Sequence, residues 1–272
     1  MSDFKTLENL ALKIRNHCVD MTHVGKCSHL GSSLSSVEIL TFLYFGGFLN
    51  VNPDKPNKPD RDRVIISKGH AAAVVYSTLA EKGFFPIDEL KTFYQNGTRL
   101  AGHVSHLVPG IEASTGSLGH GLSIATGTAY SALKDNASYK VCCLCSDGEC
   151  NEGSTWEAAM FAGHHKLRNL LLIIDENKIQ ALGHTDEVLS LEPFAEKWRN
   201  FGWDVLEIGG HSFAEIKNAL DNFPSIHNKP TCIVAHTTKG KGVSFMEDKL
   251  LWHYRTPQGD EYIAAKKELE KE

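Results

Sequence analysis

The stretch KVCCLCSDGECNEGSTWEAAMFAGHHKLRNLLLIIDEN (140–177) decides how this 272-residue chain is read. It opens on an apolar run, KVCCLC (140–145), passes through Ser146-Asp147-Gly148 and continues over 154–166 with apolar residues at helical spacing. It then returns to a second apolar run, LLLIID (170–175). Runs of strand length that do not alternate with polar residues are expected for parallel strands covered on both faces. The unit reads as strand, turn, helix, strand.

Working outward, RVIIS (63–67), WDVLEIG (203–209) and TCIVAH (231–236) have the same character, and helical spacing recurs over 71–82, 119–134 and 213–223. Strand and helix in alternation predict an α/β fold, a doubly wound and mainly parallel sheet flanked by helices. The first 50 residues read as mostly helical, with breaks at Gly25 and Gly31, and NPDKPNKPDRD (52–62) with its prolines reads as an exposed loop. A charged helix is expected over 260–272. No repeat or low-complexity linker divides the chain, so one domain over 1–272 is expected.

Composition narrows the classes. The formal net charge is −5 with Lys and Arg scattered, which is not the footprint of a nucleic-acid binder. Lys5, Glu8, Lys13 and Arg15 interrupt the first apolar stretch, and no run approaches the length of a membrane span. A soluble, cytoplasmic protein without nucleic-acid or membrane partners is expected. Seven cysteines argue against a disulfide framework. Cys142, Cys143, Cys145 and Cys150 suggest zinc by proximity, yet neighbours on a strand point to opposite faces, so Cys142 and Cys143 cannot share an ion.

In a doubly wound sheet, ligands bind beyond the carboxyl ends of the strands. There stand Ser67-Lys68-Gly69-His70, Ser146-Asp147-Gly148-Glu149, Asp175-Glu176-Asn177 and His236-Thr237-Thr238. Asp147 and Asn177 offer hard oxygens of the kind Mg²⁺ or Ca²⁺ prefers, alongside oxygens from water and a diphosphate. Gly148 permits close backbone approach, and a helix starting near Ser154 aims its positive end the same way. An Asp-Gly pair also makes an ordinary strand-to-helix turn. Asp147-Gly148 followed some thirty residues later by Asn is, however, the thiamine-diphosphate fingerprint, with Ser146 in place of its first Gly.

The surrounding blocks resemble transketolases. They are SHLGSSLSSVEILTFLYF (28–45), DRVIISKGHAAAVVYSTLAEKGFF (62–85), AGHVSH with PGIEASTGSLGHGLSIATGTA (101–129), the stretch from 146 to 183, and HTTKGKGVSFMEDKLLWHYRTP (236–257). All stand in family order and cover nearly the whole chain. Full-length transketolases continue through a pyrimidine-binding domain and a C-terminal domain, so the resemblance implies the N-terminal subunit of a split enzyme. A C-terminal subunit would complete it, with two copies of each in a heterotetramer acting on sugar phosphates.

The resemblance further implies that Asp147, Asn177 and the backbone carbonyl of Ile179 hold the metal. Gly148, Glu149, Asn177, Gly116, Ser117 and Leu118 would contact the cofactor, with His70 near its diphosphate and reactive carbon. His103 is expected at the donor's terminal hydroxyl, and His29 with His253 at the acceptor carbonyl. Glu152 is expected at a subunit interface, where a helix-start acid is the equal alternative. His120, Lys178, Val104 and Tyr254 depart from the family pattern. His184, His164 and His165 match nothing catalytic. Other thiamine-diphosphate enzyme halves, deoxyxylulose-phosphate-synthase-like or oxo-acid-dehydrogenase-like, stay as alternatives, as does a non-catalytic binding protein. A nicotinamide Rossmann site does not: GSLGHG (116–121) has the wrong glycine order and follows no strand.

Overall fold

The five apolar runs become five parallel strands in a computed structural model that describes residues 3–270. They are β1 (Arg63–Ile66), β2 (Val141–Ser146), β3 (Leu170–Glu176), β4 (Asp204–Gly209) and β5 (Thr231–His236), lying in the order β1-β2-β3-β5-β4. The ends of the chain expected within the single domain and the last helix, 1–2 and 271–272, lie outside the described residues.

Period two assigns the strand side chains to two cores. Val64, Ile66, Cys142, Leu144, Leu171, Ile173, Ile233 and Ala235 face one way. Ile65, Val141, Cys143, Cys145, Leu170, Leu172, Ile174, Cys232 and Val234 face the other. Cys142 and Cys143 therefore stand on opposite faces, as the strand reading requires, and the cysteines are free and buried.

The first face is covered by α1 (Phe4–Gly25), α2 (Leu30–Leu34), α3 (Val37–Phe45) and α4 (Ala72–Lys82), together with α9 (Phe213–Asp221) and α11 (Asp260–Leu269). The second is covered by α5 (Gly121–Lys134), α6 (Gly153–His164) and α8 (Phe194–Asn200). This is the doubly wound arrangement expected from the alternation of runs. Short helices α7 (Thr185–Leu189) and α10 (Leu251–Tyr254) lie in loops.

Local chemistry sets several boundaries. Asp3 caps α1 by accepting from the Thr6 backbone N–H at 2.9 Å, and Lys26 ends the helix in a left-handed conformation. Gly25 thus marks a true stop. Gly31 does not: it lies inside α2, where a Cβ would stand 3.1 Å from the Trp252 carbonyl oxygen and 3.2 Å from Lys239 Cγ. Close packing, not helix breaking, explains that glycine. The 52–62 segment is a loop, anchored at its end by Asp62, which accepts from the backbone N–H groups of Asn50 and Lys140 at 2.8 Å each.

Helix α8 is not legible in the sequence, being short and carried by tertiary contacts. Its Trp198 is fully buried, with ring centroids 5.0 Å from Trp156 and 5.4 Å from Trp203, and its Nε1 has no hydrogen-bond partner. Trp198→Ala is expected to cost about 3–5 kcal/mol. Trp198→Phe should cost much less, because it keeps a ring there and removes an unsatisfied N–H. Urea unfolding midpoints of the three proteins, at unchanged slope, check the order.

Candidate active site

The carboxyl ends of β1, β2, β3 and β5 meet around one buried ion pair. Lys68, wholly buried just after β1, directs its ammonium to the Ser32 carbonyl at 2.9 Å, to Ser36 Oγ at 2.8 Å and to the carboxylate of Asp175. Asp175, near the end of β3, also accepts from Ser35 Oγ at 2.6 Å, from Asn177 Nδ2 at 3.3 Å and from the Thr237 hydroxyl after β5. Burial works to raise its carboxyl, but the Lys68 ammonium and the hydroxyl donors outweigh that and hold it at about 2.

A second buried carboxylate organises the glycine-rich segment. Glu149 accepts from the backbone N–H groups of Ser146 at 3.0 Å and Gly119 at 3.1 Å, and from the Ser67 hydroxyl. Ser67 Oγ in turn accepts from the Gly121 backbone N–H at 3.0 Å, in an approach that leaves no room for a Cβ at position 121. The expected cofactor contact at Glu149 is thus qualified. Its side chain is fully engaged by the chain itself, although the residue borders the cleft. At Gly116, with φ +153°, a Cβ would stand 2.8 Å from His103 Cδ2, so this glycine sets the position of that imidazole.

Over these strand ends lies a cleft of about 190 Å³. His29, His70, His103 and His253 line it, though they come from four distant parts of the sequence. The His29 ring centroid lies 5.2 Å from His70, 5.7 Å from His103 and 5.2 Å from His253. His29 stands in the left-handed region (φ +73°) at the entrance to α2, and its backbone N–H donates to the His253 carbonyl at 2.9 Å. Burial, then neighbouring imidazoles and lysines, lowers His29 to about 4 and His253 to about 3. Burial lowers His70 and His103 as well. All four are neutral at pH 7.

Lys239, buried just after β5, donates to the Ile179 carbonyl at 2.8 Å and to His253 Nδ1 at 2.7 Å. An ammonium can only donate, so His253 Nδ1 accepts and its proton resides on Nε2. Burial and Lys68 lower Lys239 to about 8.

Asp147, Asn177 and Ile179 come together at the opposite wall. Asp147 accepts from the backbone N–H groups of Gly148 at 2.7 Å and Lys178 at 2.6 Å, while Asn177 Oδ1 accepts from the Ile179 N–H at 3.2 Å. Among the described residues no three His, Cys, Asp or Glu side chains form a metal cage. The donors here are one carboxylate, one amide and one main-chain carbonyl, a hard-oxygen set that fits a divalent cation completed by diphosphate and water. Burial and nearby Asp175 push Asp147 up to about 7, marking a carboxylate short of positive charge. A 3₁₀ turn, Gly148–Asn151, stands between Asp147 and α6, so the peptide groups next to Asp147 belong to that turn and not to the expected helix start.

Most expected residues line the cleft, Gly116, Leu118, Gly148 and Asn177 among them. Ser117 and Glu152 are exposed and outside it, with Glu152 against Gly119 at the start of α6. Sequence reasoning missed Lys68, Lys239 and Gln180 as site residues. Lysine is normally a surface residue; the signal was its place directly after an apolar run, beside glycine, in SKGH and TTKGKG.

The neutral histidines predict a pH dependence. His29 and His253 have folded values below the ordinary 6.5, so between pH 6.5 and about 4 the unfolded chain binds more protons. Stability is then present above pH 6.5 and declines as pH falls through that window. Thermal melts from pH 8 to 4 should show this decline, and His253→Gln should make it shallower.

The family model described as "Transketolase, thiamine diphosphate binding domain" matches residues 7–270. One of the two chains of an apulose-4-phosphate transketolase from Phocaeicola vulgatus is 43% identical over 265 residues, covering 97% of this chain and 94% of that protein. A 6-deoxy-6-sulfo-D-fructose transketolase subunit from a Clostridium species is 42% identical over 255 residues, covering 93% and 92%. The transketolase structure from Campylobacter jejuni superposes with a TM-score of 0.92 at 33% identity, covering 99% of this chain but 43% of that one. The chain spans less than half of that longer enzyme and nearly all of the two shorter relatives. It belongs to the transketolase family, as the thiamine-diphosphate-binding domain.

Proposed function

We propose that this chain is the N-terminal subunit of a two-chain transketolase, moving a two-carbon ketol unit from a ketose phosphate to an aldose once a C-terminal subunit covers the cleft. The observation that carries this is the convergence of four neutral imidazoles over a hard-oxygen donor set. One domain spanning 1–272 and a cytoplasmic, magnesium- or calcium-loaded heterotetramer with a second copy of the chain complete the reading.

Asp147, Asn177 Oδ1 and the Ile179 carbonyl would hold the metal, and Gly148, Gly116, Ser117 and Leu118 the diphosphate. Thiamine diphosphate, when bound, supplies the nucleophilic carbon and the electron sink for carbon–carbon cleavage. What the chain adds is proton handling and orientation. A neutral imidazole carries one lone pair and one N–H, so each histidine can accept or donate at the substrate without introducing charge. His103 is assigned to the donor's terminal hydroxyl. His29 and His253 are assigned to the acceptor carbonyl, where the Nε2–H of His253 is the available donor. His70 lies close enough to both to orient the cofactor end of the cleft.

An exposed apolar surface supports the need for a partner. Leu182 beside the cleft is 76% exposed, while Met160 on α6 and Leu189 on α7 are each 58% exposed. Cover by another chain is the ordinary remedy for such surface. Glu152 lies at the start of α6, on the side where Met160 is exposed, and is proposed as an interface residue.

Calorimetric titration with thiamine diphosphate and Mg²⁺, on the chain alone and with its partner subunit, tests the reading. Asp147→Ala should weaken Mg²⁺-dependent binding by about 100-fold or more. Binding unaffected by that change, or absent even in the assembled complex, would sink the proposal.

A further inference from the structure

Outside the cleft, a buried polar network joins three helical regions to the loop that carries Lys239. Glu38 on α3 is 8% exposed and Arg15 on α1 is 4% exposed. Arg15 Nη2 donates to Glu38 Oε1 at 2.6 Å, and Arg15 Nε donates to the Lys241 carbonyl at 2.9 Å. His211, just before α9, meets Glu38 Oε2 through Nδ1 at 2.8 Å. Its other nitrogen, Nε2, lies 2.9 Å from the backbone nitrogen of Thr238.

These contacts fix the imidazole's tautomer. A backbone N–H can only donate, so Nε2 accepts from Thr238 and Nδ1 carries the hydrogen given to Glu38. One carboxylate thereby orients two side chains, and each grips the main chain of the same loop, at positions 238 and 241. Lys239 lies between the two grips and points the other way, into the cleft, to the Ile179 carbonyl and His253 Nδ1.

We propose that His211 is a positioning residue for the active site: by accepting from the Thr238 N–H under the direction of Glu38, it fixes the loop that presents Lys239 to the metal-side carbonyl of Ile179 and to His253. Burial works to raise the Glu38 carboxyl, but Arg15 and His211 outweigh it and keep the group ionised as the acceptor both need. The inference rests on the transketolase reading, because the cleft gives Lys239 its task.

Two variants divide the functions of the ring. His211→Gln places an amide oxygen at the reach of Nε2 and can still accept from Thr238. His211→Asn places an amide nitrogen at the position of Nδ1, serving Glu38 but not Thr238. Amide hydrogen exchange at Thr238, and titration with thiamine diphosphate and Mg²⁺, would be measured on the full chain alone and assembled with its partner subunit. The Asn variant should lose about tenfold or more in Thr238 protection and about tenfold in cofactor affinity. The Gln variant should stay within about threefold of wild type in both, with the two melting together.

Equal behaviour of the two variants, or wild-type cofactor affinity in the Asn variant, overturns the proposal. So does a nitrogen-correlated proton spectrum of wild-type His211 showing the hydrogen on Nε2, a result independent of any variant. If wild type binds no cofactor, the functional reading fails, and exchange at Thr238 alone decides whether His211 holds the loop.

Discussion

The ion pair between Lys68 and Asp175 is the constraint on which the rest of this site depends. A buried ammonium and carboxylate survive only with their remaining hydrogen-bonding capacity satisfied. Here that need is met by Ser32, Ser35 and Ser36 from α2 and the turn into α3, by Asn177 after β3 and by Thr237 after β5. Each partner is a segment that must be in place for the site to exist. Satisfying two charges therefore also fixes four chain segments at the carboxyl edge of the sheet, and the site inherits its geometry from that knot.

A second consequence concerns charge. Lys68 is neutralised by Asp175, whereas Lys239 has no ion-pair partner of its own among the described residues and sits near Asp147, whose carboxyl is pushed upward. The bare chain therefore has one buried cation and one frustrated carboxylate beside a cleft of neutral imidazoles. A diphosphate with a divalent cation is the kind of ligand that would resolve both. The low-dielectric surroundings that keep the histidines neutral also strengthen every dipole directed at such a ligand.

The glycines show the same economy of space. The 116–121 segment approaches the strand ends so closely that Gly116 touches His103 and Gly121 meets Ser67. Glu149 ties this segment down through Gly119 and Ser67, which explains why an acid following Asp-Gly here is internal, although its neighbours line the cleft.

The sequence by itself determined the sheet, its parallel character and the ends of the strands where the chemistry lies. Those follow from local periodicity: unbroken apolar runs such as LLLIID bury both faces of a strand, whatever else the chain does. It also determined which histidines mattered, through motifs that surround them. The tertiary structure alone decided that Lys68 and Lys239 are buried, that Glu149 turns inward and that His211 reaches Thr238. His211 lies 27 positions from Thr238, and Lys68 lies 107 from Asp175. No local pattern records whether a charged side chain meets its counterpart or water; only the packing of distant strands and helices settles that.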